Sequence, residues 1–166
     1  MTLYPFYSKR KQKPSESIHG EIPQLHHLSV QPFKKVAIAL DFSKMDEKLI
    51  AHAIKQGNTN ASYLLLHIVE TVSASFSGTS TDDIETRKDK ERLETLAQQM
   101  TQIGYKVQTQ LGYQDRVNEI VRIVKKAEAD MLVMGAHHHT GIKDILYGET
   151  VNQVRHKLNI PVLIVN

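Results

Sequence analysis

Two hydrophobic periods alternate along this chain from Phe33 onward, short continuous apolar runs and helical stripes. Val36-Ala-Ile-Ala-Leu40 is apolar at every position, which predicts a strand buried on both faces. Ser43 follows where a helix N-cap is expected, and Asp46 three residues later completes a capping box. Met45, Leu49, Ile50, Ala53 and Ile54 recur at helical spacing as far as Gly57. Tyr63-Leu-Leu-Leu-His-Ile-Val69 predicts a second buried strand, and residues 71–82, rich in Ser, Thr and Gly, predict a loop. A long amphipathic helix is expected over 83–103, with Leu93, Leu96, Ala97, Met100 and Ile103 on its stripe and Gly104 as its stop.

Lys106-Val-Gln-Thr-Gln-Leu111 alternates polar and apolar, the mark of a strand covered on one face at a sheet edge. Asp115 caps a helix carrying Val117, Ile120, Val121 and Val124, and Met131-Leu-Val-Met134 is another buried strand, ended by Gly135. A helix over 149–158 with Val151, Val154 and Leu158 leads to a last strand, Pro161-Val-Leu-Ile-Val165. Strands alternating with helices predict an α/β fold: one domain over 34–166, with an open, doubly wound, parallel five-stranded sheet and helices on both faces. The edge character of the third strand fits the order 3-2-1-4-5, with the winding reversed between strands 1 and 4. Ligands bind outside the carboxyl ends of such strands at that reversal. Asp41, Val69 and the loop from Gly135 are therefore the positions where chemistry is expected.

Composition changes the picture mainly at the N-terminus. Residues 1–33 hold four of the five prolines and no apolar period, which predicts a flexible, basic tail. Of the 21 Lys and Arg and 18 Asp and Glu, residues 1–35 hold six basic and two acidic side chains, leaving 15 against 16 for the remainder. The net charge of +3 thus belongs to the tail, and a basic folded body of the kind that binds nucleic acid is not expected. Tyr4, Phe6 and Tyr7 followed by Lys9-Arg10-Lys11 suit a membrane interface. A solvated extension and a segment that binds acidic surfaces are the other two readings of the same residues. No run approaches a transmembrane span and no secretory signal precedes the domain, so a cytoplasmic protein is expected, membrane-peripheral if the tail touches lipid. With no cysteine, disulfides, thiolate metal sites and cysteine nucleophiles are excluded.

Candidate chemistry concentrates in Gly135-Ala-His-His-His-Thr-Gly-Ile-Lys-Asp-Ile-Leu-Tyr-Gly148-Glu-Thr150. His137, His138 and His139 are imidazoles of the kind that bind zinc, nickel or copper, but adjacent loop residues rarely all face one ion, and no metal site is assigned. His67, in an apolar strand, reads as a core histidine with its hydrogen bonds satisfied. No G-x-S-x-G elbow or P-loop occurs, and the one carboxylate pairing at strand ends is Asp41 with distant Glu70. No catalytic residue is assigned, and a slow ATPase is the only enzyme reading left.

With Val36-Ala-Ile-Ala-Leu-Asp41-Phe-Ser43, Leu65-Leu-His-Ile-Val69 and Val154-Arg-His-Lys-Leu-Asn-Ile-Pro-Val-Leu-Ile-Val165, this loop resembles the universal stress protein family over residues 34–166. The ATP-binding branch carries G-x2-G-x9-G-[ST] here, and Gly135 and Gly148 hold the register. The resemblance implies a Rossmann-like fold and ATP or another adenine nucleotide, with Mg. Ala39, Leu40 and Gly135 would line the adenine and ribose pocket, Val69 would meet adenine through its backbone, and Asp41 would contact the ribose or metal region. The remaining nucleotide-site positions are His137, His138, Gly148, Glu149 and Thr150. Two of them depart from the pattern: His138 replaces the middle glycine and Glu149 the hydroxyl residue. The ring fills space that backbone amides need, and the carboxylate takes the helix N-terminus that would attract a phosphate. Protonated histidines in the triplet would offset part of that charge.

Within the family, Leu65-Leu-His-Ile-Val-Glu70, Ile84-Glu-Thr-Arg87, Gly135-Ala-His137, Gly141-Ile-Lys-Asp144 and Thr150-Val-Asn-Gln-Val-Arg-His156 are similar to the cytoplasmic stress-protein-like domains fused behind Nramp-class metal-ion transporters. That branch has glycine at the position of His138. The likeness implies a membrane transporter as partner. An apolar edge strand over 161–165 invites pairing with another chain, and the family resemblance implies a homodimer through it. Three readings follow: a nucleotide-responsive regulatory module, a degenerate interaction domain on a membrane metal-ion transporter, and, least supported, an enzyme.

Overall fold

The structure, a computed structural model, describes residues 31–69, 84–113, 115–136 and 149–166. The tail over 1–30, Glu70, the loop over 71–82, His137–His139 and Gly148 lie outside the described residues. Among the described residues nine elements follow in order: β1 (Lys35–Leu40), α1 (Asp46–Gly57), β2 (Ser62–Ile68), α2 (Ile84–Gln102), β3 (Lys106–Gly112), α3 (Arg116–Lys126), β4 (Met131–Gly135), α4 (Glu149–Lys157) and β5 (Val162–Val165). The sheet is parallel throughout, in the order β3-β2-β1-β4-β5, as the edge pattern of Lys106–Leu111 predicts.

Side chains that alternate along each strand feed two cores. Val36, Ile38, Leu40, Tyr63, Leu65 and Val133 pack with Leu49 and Ala53 of α1 and Leu93 and Met100 of α2. Ala37, Leu64, Leu66, Leu132 and Met134 pack with α3 and α4 through Val117, Ile120, Val121, Val124 and Val154. A parallel sheet needs such cover on both faces, which is why its central strands are apolar at consecutive positions. In register, Ile38 of β1 lies between Leu65 of β2 and Val133 of β4. α1 and α2 cover one face and α3 and α4 the other, so the winding reverses between β1 and β4.

Local expectations fared unevenly. Asp115 caps α3 as read from the sequence, its Oδ1 accepting from the Asn118 amide at 2.9 Å. The capping box at Ser43 and Asp46 does not form. Met45 is the N-cap of α1, Ser43 Oγ accepts from the Met45 amide, and Asp46 reaches back past Ser43 to Asp41 and Phe42. Ile103 is 70% exposed and lies beyond α2 rather than on its buried stripe. The chain has already begun to turn toward Gly104, whose φ of 99° is one glycine adopts readily.

One buried carboxylate holds the end of β3. Glu119 is 4% exposed, and it accepts from Arg122 Nε at 2.7 Å and Nη2 at 2.6 Å. These bonds hold its carboxyl below the usual range despite burial, and the Tyr113 amide adds to the effect. The Glu119 side chain lies so close to Gly112 that a Cβ there would collide with it and with Ile68 Cδ1. Gly112→Ala should therefore cost about 1–3 kcal/mol through overpacking, and Arg122→Ala about 2 kcal/mol by leaving the carboxylate without its partner. Because the folded pKa of Glu119 is depressed, its contribution is present above the ordinary value of 4.5 and is lost as pH falls below it. Urea denaturation at pH 7 and pH 3.5 checks both: the Arg122→Ala deficit should shrink at the lower pH.

Candidate functional site

At the carboxyl edge of the sheet, β1 and β4 end side by side, with Ala39 opposite Met134. Beyond them Asp41 is exposed, Leu40 is buried, and Ala39 and Gly135 are half-buried. Val69 follows β2, is buried, and donates its amide to Gly112 O at 2.9 Å. Ala136, after β4, donates to Val165 O at 3.0 Å. Glu149 and Thr150 open α4, the helix that carries the chain from β4 to β5. Ala39, Leu40, Asp41 and Gly135 are thus brought to adjacent strand ends, and Val69 ends the next strand.

The β1–α1 turn is built around Asp46. This carboxylate is 5% exposed, and its Oδ1 and Oδ2 accept from the amides of Asp41, at 3.3 Å, and Phe42, at 2.9 Å. Phe42 is held at a φ of 61°, in the left-handed region that an aromatic residue rarely occupies. Asp41 in turn accepts from the Ser43 amide at 3.2 Å. Burial, followed by the negative charge of Asp41 beside it, pushes the Asp46 carboxyl up to about 6, against the pull of the two backbone amides. Among the described residues the acid beside Asp41 at this strand end is Asp46; Glu70, its other candidate partner, lies outside them. Read only as a helix cap, Asp46 was missed as part of the site; its sequence signal was a second aspartate five residues beyond the first.

A second polar cluster backs the turn. His67, opposite Leu40 in register, donates from Nδ1 to Leu40 O at 2.9 Å, while its Nε2 stands 3.5 Å from Asp89 Oδ2 of α2. The Phe42 ring lies over the imidazole with centroids 4.2 Å apart, and the Arg92 guanidinium stands 5.6 Å from the centre of the Phe42 ring. His67 is thus the satisfied histidine that its strand implies, and it also ties the last carbonyl of β1 to α2. At α4, the Glu149 carboxylate accepts from Gln153 Nε2 at 3.2 Å, reaching one turn along the helix. Among the described residues no cluster of three His, Cys, Asp or Glu could hold a metal ion.

The sequence model of the universal stress protein family matches residues 32–166. The universal stress protein MJ0577 of Methanocaldococcus jannaschii is 26% identical over 153 residues, covering 80% of this chain and 94% of that protein. Its solved structure matches with a TM-score of 0.64 at 27% identity, again over 80% and 94% of the two chains. A universal stress protein of Archaeoglobus fulgidus in complex with dAMP matches with a TM-score of 0.61 at 18% identity, over 82% of this chain and all of that one (100%). Another universal stress protein, in complex with cAMP, gives 0.62 at 17%, over 82% and 98%. At those two identities the likeness is one of fold.

The raised Asp46 carboxyl has a signed consequence. Its folded pKa lies above the ordinary 3.8, so its stabilising effect is complete below that value and fades as pH rises through about 6. Asp46→Asn removes this dependence. The midpoint of thermal unfolding of the variant, measured relative to the parent, should rise by several degrees between pH 4 and pH 8.

Proposed function

This chain belongs to the universal stress protein family, and we propose that it is a non-catalytic regulatory module of the stress response that takes an adenine nucleotide and acts as a homodimer. The observation that carries the reading is the junction of β1 and β4, where Leu40-Asp41 leaves one strand beside Gly135 leaving the other. Winding reverses there, so the helices diverge and leave a crevice for a ligand. Small residues, Ala39 and Gly135, suit the approach of a flat base and ribose. Asp41, held by the turn around Asp46, suits a ribose hydroxyl or a bound Mg. Val69 supplies backbone to adenine, and Gly148 and Thr150, with His137 and His138, complete the phosphate side. Complexes of family members with dAMP and with cAMP support the ligand class.

A second reading is favoured by one observation, Glu149 in the first turn of α4. A carboxylate there, with His138 in place of a glycine, fits a domain that has given up nucleotide and docks instead on a membrane metal-ion transporter. The basic tail, lying at the membrane, would suit that partner, and the domain itself stays on the cytoplasmic side.

Denaturing the purified chain and chromatographing the supernatant tests the first reading, together with calorimetric titration by ATP, ADP and AMP with and without Mg. Adenine nucleotide should be released or bound, and His138→Gly with Glu149→Ser should tighten ATP at least tenfold. A parent that binds none, beside a double variant that does, transfers the conclusion to the second reading, to be checked by co-purification with the transporter and an uptake assay.

The dimer has its own test. Pro161 O and Val165 O accept from the amides of Leu132 in β4 and Ala136 just after it, so Val162 and Ile164 direct their backbone groups to the open edge of β5. Ile164→Pro removes one outward donor while leaving the β4 ladder intact, and light scattering should show the dimer replaced by monomer with unchanged helical circular dichroism.

A further inference from the structure

Asp41 stands between two residues that side chains of β2 and α2 help to hold. The Leu40–Asp41 peptide is gripped at both ends. Its oxygen accepts from His67 Nδ1 at 2.9 Å, and its N–H donates to Asp46 Oδ1 at 3.3 Å. A planar amide held at both ends has lost most of its freedom to turn, so the course of the chain at Asp41 is set by His67 and Asp46 together. The next residue, Phe42, is also held twice. Its amide donates to Asp46 Oδ2 at 2.9 Å, and its ring lies on the His67 imidazole, tilted by 35° with centroids 4.2 Å apart.

Behind His67 stands α2. Asp89 Oδ2 lies 3.5 Å from His67 Nε2, and its Oδ1 lies 3.5 Å from Arg92 Nη1, one turn along the helix. Arg92 in turn places its guanidinium 5.6 Å from the centre of the Phe42 ring. Of the eight charged side chains of α2, Asp89 is the one that is not exposed. Salt-bridging along the helix surface does not require that placement, whereas contact with His67 does. An aromatic residue keeps a φ of 61° only where its surroundings over-determine it. Asp46 constrains Phe42 from its amide side, and the imidazole and guanidinium constrain it from its ring side.

We propose that Asp89, acting through His67, is a positioning residue for Asp41, so that the docking of α2 sets how the candidate site meets the ribose side of a nucleotide. The inference deepens the nucleotide reading and rests on it for the ligand, though not for the turn. With α2 docked through Asp89, Phe42 stays in the left-handed region and Asp41 keeps one place beside the end of β4. Without that contact the imidazole is free to swing, Phe42 relaxes to negative φ, and the Leu40–Asp41 peptide turns with it. The coupling is reciprocal by linkage: a ligand that requires Asp41 in place also strengthens the hold of the turn on α2.

Amide hydrogen exchange of the full chain without nucleotide, followed by calorimetric titration with AMP, tests the assignment. Asp89→Ala should speed exchange of the Asp41 and Phe42 amides at least tenfold, while those of Ile38 and Val133 in the central strands change less than twofold. Asp89→Asn, whose amide can still pair with Nε2, should keep the turn amides within threefold of the parent. Glu94→Ala, which removes an exposed acid of the same helix, should leave both sets unchanged. AMP should bind Asp89→Ala at least fivefold more weakly than the parent. Added to Asp41→Ala, the same change should cost nothing further, because it acts through that residue. Turn amides unmoved in Asp89→Ala, an equal rise at Ile38 and Val133, Asn as damaging as Ala, or AMP losses that are absent or additive would each overturn the positioning role. A parent that takes no AMP removes the nucleotide reading alone, and the exchange rates then decide the role of Asp89 by themselves.

Discussion

Parallel pairing of β1 with β4 is the constraint from which the other features follow. Parallel strands cannot be joined by tight turns, so every connection must cross the sheet, and right-handed crossing sends α1 and α2 to one face and α3 and α4 to the other. The chain can change faces only by starting again beside β1. That restart places β4 against β1 and brings Leu40-Asp41 and Gly135 to neighbouring strand ends. The junction of those strand ends is thus a consequence of burying Val36, Ile38, Leu65, Leu132 and Val133 in two layers.

Polar groups at the strand ends then stiffen what the apolar layers position. Asp46 fixes the turn after β1, His67 links the last carbonyl of that strand to Asp89, and Glu119 anchors the end of β3 to α3. Each is a buried or half-buried group whose hydrogen bonds span two elements. The energetic signs differ. Glu119, gripped by Arg122, gains from being charged. Asp46, beside Asp41 and away from water, is held at a carboxyl near the edge of the neutral range. A turn supported by a group of that kind, and containing Phe42 at positive φ, stores strain where a ligand would be met.

The framework was readable in the sequence because burial on both faces leaves an unambiguous mark. Val36–Leu40 and Met131–Met134 have no polar position, whereas Lys106–Leu111 alternates, and that contrast alone orders the sheet with β3 at its edge. The candidate site was legible only in part. Asp41 and Gly135 follow from the topology, but the partners of Asp41 do not, because a Ser-x-x-Asp spacing fits a helix cap and a turn clamp equally well. The choice depends on a backbone twist at Phe42 that no residue type announces. Asp89 was unreadable for another reason: it meets His67 across two elements separated by 22 positions, on a helix face that looks merely solvated.

Glu149 and the phosphate side of the crevice can be weighed on the same electrostatic terms. The first turn of a helix offers an anion the equivalent of about half a positive charge, worth roughly 0.3–1 kcal/mol at an exposed position. A full carboxylate charge near a surface repels another unit charge at 4 Å by about 4 kcal/mol, and its bond to Gln153 leaves it exposed at the start of α4. The helix end cannot offset that repulsion for a chain of phosphates. The base and ribose half of the proposed site, which would be built from Ala39, Leu40, Asp41 and Val69, carries no such conflict. On the proposed reading, selection of a ligand at this site therefore rests on the adenine end, and Glu149 limits the number of phosphates it tolerates.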